Sequence, residues 1–259
     1  MANQEAKESL RKPPSSYSSI VVVMVPFPAQ SHLNGLLKIS HVISSYNIQV
    51  HFVSSSLHNS QVKSRAANRN PNPNIIFHDL PMPDFESPPP NKTLSHFLPS
   101  LQASLGLRQP VKSLLESLSG TTRRLVIIHD PLMSIVVQDA CALPNTESYL
   151  FNCISAISIF GLARDAVGLK VREDIPSSRG CLAAECQDFL DSQFKCLKKI
   201  KVSGHLRNTC RAIESEFLDI LEEKDRKAGE NIKQWAIGPL ETVKHWDSFQ
   251  EQSDKQFGS

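Results

Sequence analysis

SIVVVMVPFPAQSHLNGLLKIS, Ser19 to Ser40, decides the fold. Ile20 to Val25 is an unbroken apolar run, rich in β-branched residues and closed by Pro26. That is the pattern of a strand buried on both faces of a parallel sheet. Beyond Pro26-Phe27-Pro28-Ala29-Gln30, the residues Leu33, Leu36, Leu37, Ile39, Val42, Ile43 and Tyr46 recur at helical spacing and predict a helix from about His32 to Tyr46. Strand, short loop and helix in succession make the first half of a βαβ unit.

The alternation continues outward from this unit. Ile48 to Val53 predicts a strand, Ser56 to Ala67 a polar helix, and Asn74 to Leu80 a third strand introduced by Asn70-Pro71-Asn72-Pro73. Leu94 to Leu118 is mainly helical, with breaks or kinks expected at Pro99 and Pro110. Leu125 to Ile128 is an apolar strand ended by His129-Asp130-Pro131; Ile135 to Leu143 predicts a helix stopped by Pro144, and Ser148 to Phe151 another strand. Later elements are an amphipathic helix over Cys181 to Ile200, with Leu182, Cys186, Phe189, Leu190 and Leu197 inward, a helix over Ile213 to Glu223, and a short strand over Gln234 to Ile237. Strands alternating with helices imply an α/β fold, a Rossmann-like doubly wound and mainly parallel sheet. The expected organisation is a disordered tail over residues 1–19, one Rossmann-like domain over 20–240, and a linker or truncated tail over 241–259.

Composition narrows the function. The chain has 259 residues, 40% hydrophobic and 21% charged, an ordinary globular balance. With 28 basic against 26 acidic residues the net charge is +2, so no overall field recommends nucleic acid or an anionic membrane as partner. The apolar run from Ile20 to Val25 is too short for a signal-peptide core or a membrane span, and a cytoplasmic chain is expected. Its six cysteines never form the Cys-x-x-Cys spacing of zinc or redox sites, and its nine histidines include no His-Glu-x-x-His. No metal site and no resident cofactor are expected.

The turn after the first strand lacks Gly-x-Gly-x-x-Gly, and neither a phosphate-binding P-loop nor a Gly-x-Ser-x-Gly elbow occurs. What remains lies at the carboxyl ends of the strands, where open α/β sheets bind ligands. The loops Pro26 to Ser31, Pro81 to Lys92 and His129 to Met133 line that edge, and with them come His32 and Asp130. A neutral imidazole there can take a proton from a hydroxyl while a carboxylate on its other nitrogen fixes the tautomer. The helix N-terminus should disfavour the imidazolium and keep the base available. The alternative is equally concrete: His32 is a solvated helix-start residue and Asp130 caps the next turn.

VPFPAQSHLN, IIHDPLM, NTCRAIE and WAIGPL occur in the order and approximate spacing of plant UDP-dependent glycosyltransferases, and together they resemble the zeatin O-glucosyltransferases within that family. The resemblance covers roughly Ile20 to Leu240. It implies the GT-B architecture, two Rossmann-like domains facing across a cleft, of which this chain is the N-terminal, acceptor-binding one. It also implies that His32 is the general base and Asp130 its orienting carboxylate, in an inverting displacement at the anomeric carbon of UDP-glucose or another UDP-sugar. Ser31 stands where the family more often has glycine, and Gly35 where many members have proline. The implied acceptor is a small hydroxylated molecule, a cytokinin such as zeatin. Its expected contacts are Phe27, Asn34, Asp84, Phe85 and Met133, with Asp84 able to accept a purine N–H and Phe85 able to stack. Asn34 could equally cap locally, and Asp84 and Phe85 could simply shape a surface loop.

The family's donor-binding signature, Trp-x-Pro-Gln followed by His-Cys-Gly-Trp-Asn-Ser and Asp-Gln, is not found. Only Glu241 to Ser259 follows the Gly238-Pro239 pair, against the roughly 100 residues or more that a domain needs. The expectation is an O-glucosyltransferase chain truncated before its donor half and inactive alone; the alternative is a non-catalytic acceptor-binding module from a short splice form.

Overall fold

Alternate residues of one strand feed two cores. In β1 (Ser18–Val25), Val21, Val23 and Val25 pack into one apolar cluster while Val22 and Met24 pack into another on the opposite face. The unbroken apolar run is therefore required by burial on both sides. The computed structural model describes residues 18–65, 72–92, 95–167, 182–227 and 232–240, so the expected tail before Ser18, Cys181 and the segment after Leu240 lie outside the described residues.

After β1 come α1 (Gln30–Ser44), β2 (Gln49–Ser55), α2 (Ser56–Arg65), β3 (Ile75–Leu80), α3 (Leu98–Ser104), α4 (Arg108–Ser119), β4 (Thr122–His129), the single-turn α5 (Ser134–Val137), β5 (Thr146–Asn152), α6 (Ala156–Val167), α7 (Ala184–Leu197), β6 (Val202–Arg207), α8 (Arg211–Lys227) and β7 (Lys233–Ala236). All adjacent strands pair in parallel, forming a 7-stranded sheet of order β3-β2-β1-β4-β5-β6-β7. The order runs outward from β1 in one direction and from β4 in the other. The reversal falls between these two strands, and there a doubly wound sheet opens its ligand crevice.

One core packs α4, α5 and α7 on the sheet through Val111, Leu115, Val136, Val137, Cys186 and Phe189. The other packs α1 and α2 through Leu33, Leu36, Leu37, Ile39 and Val62 against Phe52, Ile128 and Phe151. Gly35 of α1 lies against Phe151: a Cβ there would stand 2.8 Å from Phe151 Cε1, so the buried ring occupies the space of the missing side chain.

Several boundaries differ from the sequence expectation for identifiable reasons. α1 starts at Gln30 rather than near His32, because its first turn is polar and carries no apolar signal. Val42 and Tyr46, expected inward, are exposed, so the buried stripe is narrower than the spacing suggested. Pro99 and Pro110 sit in the first turns of α3 and α4, where a missing N–H costs nothing; they start helices rather than break one. The helix expected over Ile135 to Leu143 is α5 followed by a 3-10 turn, Gln138–Ala142. Leu190 is only partly buried in α7, whose inward positions are instead Cys186, Phe189, Gln193 and Cys196. Two elements, α6 and β6, were not anticipated. β6, VSGHLR, has no apolar run, and its Gly204 makes room for Trp235 of β7, whose Cζ3 would lie 2.3 Å from an added Cβ. Among the described residues no helix is long and apolar enough to cross a membrane.

Candidate active site

β1 and β4 end together. Val25 pairs with His129, and the next backbone N–H, that of Asp130, donates to the Val25 carbonyl at 3.1 Å. This bond carries the ladder past the strand ends and sets Asp130 beside the loop that leads to α1. The loop is short and holds two prolines, with Ala29 extended (φ −127°, ψ 150°) as the cap of α1 and contributing no side-chain bond. His32 therefore falls in the first turn of α1 and faces the strand ends.

The two side chains meet. His32 Nδ1 lies 2.5 Å from Asp130 Oδ2, with side chains 16% and 2% exposed. The other carboxylate oxygen, Oδ1, accepts from the Leu132 N–H at 2.8 Å and caps the 3-10 turn Pro131–Met133. Capping and orientation, posed as alternatives, are thus both performed by Asp130, one oxygen each. His32 is not a solvated helix-start residue. The Phe27 ring packs edge-on to its imidazole, centroids 5.2 Å apart.

Electrostatics of the pair reverse one expectation. Burial pushes the His32 imidazole down, but the Asp130 carboxylate outweighs burial, with a further contribution from Cys153, and the pKa is raised to about 10. The resting pair is imidazolium and carboxylate, not the neutral imidazole that the helix N-terminus alone would favour, because a contacting charge acts more strongly than partial charges along the helix. The neighbouring His129 behaves oppositely. It is fully buried, its Nδ1–H donates to the Asp130 carbonyl at 3.0 Å, its Nε2 accepts from Ser148 Oγ at 3.0 Å, and burial depresses its pKa to about 4. His129 is a neutral structural histidine one residue from the charged pair.

The remaining expected contacts are distributed. Phe27 is buried at the edge of the core, and Met133 is wholly buried within it beneath the Asp130 turn. Asn34 is half-buried inside α1, five residues beyond the cap position, which Ala29 occupies. In the loop after β3, Asp84 is exposed and the Phe85 ring stacks on His58 of α2, centroids 6.3 Å apart and planes 7° apart. Pro83 of this loop fits over Gly106, where an added Cβ would meet its Cδ at 2.3 Å. The loop thus rests on α2 and on the α3–α4 junction.

Cys153 was missed. It follows β5, and one ligand atom each of His32, Asp130 and Cys153 lie within 4.8 Å of one another. Its signal was its position, directly after a strand neighbouring β4 on the ligand edge. Glu214 was also not singled out. It leaves helical geometry inside α8, and its carboxylate accepts from the backbone N–H groups of Ala156 and Ile157 at 2.8 and 3.1 Å, capping α6 from another element.

Comparison with known proteins agrees with this fold. The family model described as "Glycosyltransferase, N-terminal domain" matches residues 18–242. The Zeatin O-xylosyltransferase of Phaseolus vulgaris is 40% identical over 231 residues, 86% of this chain and 49% of that protein. The Zeatin O-glucosyltransferase of Phaseolus lunatus is 39% identical, with the same coverage of 86% and 49%. The chain thus spans about half the length of the curated relatives it matches. Among solved structures, Medicago truncatula UGT71G1 complexed with UDP-glucose is similar in fold, with a TM-score of 0.58 at 19% identity over 92% of this chain and 56% of that one.

Proposed function

The chain belongs to the glycosyltransferase family whose N-terminal domain it matches, and we propose that it supplies the acceptor-binding, proton-accepting half of a UDP-sugar-dependent O-glycosyltransferase. The observation that carries this reading is the His32–Asp130 pair at 2.5 Å, standing where the strand order reverses. In the proposed reaction the resting imidazolium first gives its Nε2 proton to solvent, and the neutral ring then takes the proton of an acceptor hydroxyl as that oxygen bonds to the anomeric carbon. The bond from that carbon to the diphosphate breaks on the opposite face, so UDP leaves and the configuration inverts. Asp130 holds the imidazole by Nδ1, which leaves Nε2 for the acceptor, and stabilises the imidazolium that re-forms.

A cytokinin such as zeatin is the proposed acceptor. Two relatives of nearly equal identity are named for different sugars, xylose and glucose, and for the same acceptor, so this half of the protein is read as setting the acceptor and not the sugar. Phe27 orients the imidazole, Asn34 follows His32 by two residues in α1, and the Asp84–Phe85 loop offers a carboxylate and a ring for a flat purine. Met133 is assigned a supporting role under Asp130.

The reading is tested with two polypeptides. Chain 1–259 given zeatin and UDP-glucose or UDP-xylose is expected to bind zeatin weakly and form no glycoside, since the sequence carries no donor-binding signature and positioning of the sugar contributes about 7 to 11 kcal/mol of barrier lowering. Joined after Leu240 to the C-terminal half of the Phaseolus lunatus relative, it should turn over, and His32→Ala should reduce kcat by about 100 to 10,000-fold with little change in zeatin affinity. A His32→Ala chimera with near-normal kcat refutes the base assignment.

A further inference from the structure

The wide spacing of His32, Asp130 and Cys153 in the sequence conceals a cluster that the ends of β1, β4 and β5 assemble. We propose that these three side chains bind a thiophilic divalent cation, zinc being the type, and that the ion inhibits transfer by taking the base out of use. Binding follows from the cluster alone; only the inhibition rests on His32 acting as the base.

The donor set suits such an ion. One imidazole nitrogen, one carboxylate oxygen and one sulfur, with a fourth position left to solvent, is the composition of three-ligand zinc sites, and the sulfur selects zinc over magnesium or calcium. Zinc bonds of about 2.0 to 2.3 Å at tetrahedral angles separate the ligand atoms by about 3.3 to 3.7 Å. The cluster spans at most 4.8 Å and its Nδ1–Oδ2 contact is 2.5 Å, so one separation must close and the other open by about 1 Å, within reach of side-chain rotation. Asp130 can turn Oδ2 to the ion while Oδ1 keeps its bond from the Leu132 N–H, the outer support that fixes a metal-binding carboxylate. Cys153 is a free thiol, and both it and His32 are partly exposed, which gives the ion an approach that buried Asp130 lacks.

Coordination needs a thiolate and a bare ring nitrogen, so the thiol proton and one imidazole proton leave to solvent as the ion enters. The consequence for proton transfer is the same through either nitrogen. Bound at Nε2, the ion occupies the position that would receive the acceptor proton; bound at Nδ1, it leaves Nε2 carrying hydrogen.

The test uses the whole chain stripped of metal with chelator and titrated with Co²⁺, which reports its ligands spectroscopically, and then with Zn²⁺ in competition. Wild type should develop a thiolate-to-cobalt charge-transfer band that Zn²⁺ abolishes and Mg²⁺ does not. Cys153→Ser should lose the band and bind Zn²⁺ about a hundredfold more weakly or worse, since loss of a ligand should cost no less than loss of an outer partner. Cys210→Ser should behave as wild type. Equal spectra and affinities for wild type and Cys153→Ser, or no Co²⁺ spectrum at all, would overturn the site. Neither measurement involves sugar or acceptor, so failure here is separate from failure of the transferase reading. In the active chimera, Zn²⁺ should inhibit at the concentration that fills the site, with EDTA restoring turnover.

Discussion

Replacing Asp130 with asparagine keeps the size of the side chain and removes its charge. In the wild-type fold the carboxylate holds His32 at a pKa of about 10 against an ordinary 6.5. At about 1.36 kcal/mol per unit, that is about 5 kcal/mol of preference for the imidazolium. Burial acts in the opposite direction, against only the smaller contributions of Cys153, so without the carboxylate the imidazole should fall back toward 6.5. At pH 7.5 the ring should therefore change from almost wholly protonated to mostly neutral. The amide also presents an N–H₂ to Nδ1 if its oxygen keeps the Leu132 N–H, imposing the tautomer with hydrogen on Nε2. Asp130→Asn thus yields a neutral imidazole that cannot act as base.

The effect is readable in the chain as it is, by following the His32 Cε1–H resonance in chelator-containing buffer and assigning it with His32→Gln. Stability should follow by linkage. A folded-state pKa above the unfolded value stabilises fully below pH 6.5, and this contribution is lost as pH rises toward 10. Wild type should lose up to about 5 kcal/mol more over that window than Asp130→Asn, measured as the difference between their denaturant curves. A wild-type midpoint near 6.5, or an Asp130→Asn midpoint above 7.5, would refute the charge argument.

The other predictions concern neighbouring parts of the molecule. His51 and His129 at about 4 and His205 at about 3 are all depressed chiefly by burial, so they contribute stability above pH 6.5 that disappears as pH falls. Denaturant midpoints should drop steeply below pH 6, and His129→Asn, which keeps a donor for the Asp130 carbonyl, should flatten that limb while lowering stability at pH 7. Gly35→Ala should cost up to about 2 kcal/mol by denaturation, because crowding against Phe151 at 2.8 Å, about 1 to 3 kcal/mol, offsets or exceeds the roughly 1 kcal/mol helix-propensity gain. The loss should shrink in a Phe151→Leu background. Glu214→Ala should speed hydrogen exchange at Ala156 and Ile157 by about fivefold, as two N–H groups lose a cap worth about 1 kcal/mol; unchanged exchange would show that another group caps α6.

What was legible in the sequence depended on whether a residue's role left a local trace. β1 and the apolar stripe of α1 declared themselves because burial on two faces and on one face impose different periodicities. The His32–Asp130 pair was legible as position, each residue following a strand, and resemblance gave it a role; its charge state was not, since that depends on a 2.5 Å contact between residues 98 apart in the chain. β6 was illegible because its sequence is written for its neighbours: Gly204 for the Trp235 ring and Arg207 for Gln234, to whose side-chain oxygen its Nε donates at 2.6 Å. Cys153 was illegible as a ligand because a sequence search for metal sites looks for short spacings, and here the sheet supplies the proximity.

The four stretches that carried the resemblance divide by location. VPFPAQSHLN and IIHDPLM end β1 and β4 and hold the His32–Asp130 pair. NTCRAIE and WAIGPL meet where the chain leaves the sheet: the Gly238 N–H donates to the Thr209 carbonyl at 2.9 Å, and the Leu240 N–H donates to Asn208 Oδ1 at 2.9 Å. Glu214, from the same stretch as Asn208, caps α6, the helix that follows Cys153. One segment therefore fixes both the start of α6, beside the pair, and the direction in which the chain departs toward residue 240. A catalytic base on one domain and a sugar held by another must be registered to within a fraction of an ångström of a productive geometry. Tying the exit segment to the strand ends that carry the proposed base is a direct way to obtain that register, so Asn208→Ala in the active chimera should lower kcat while leaving zeatin affinity intact. An equal loss of both would place Asn208 in folding of the acceptor half instead.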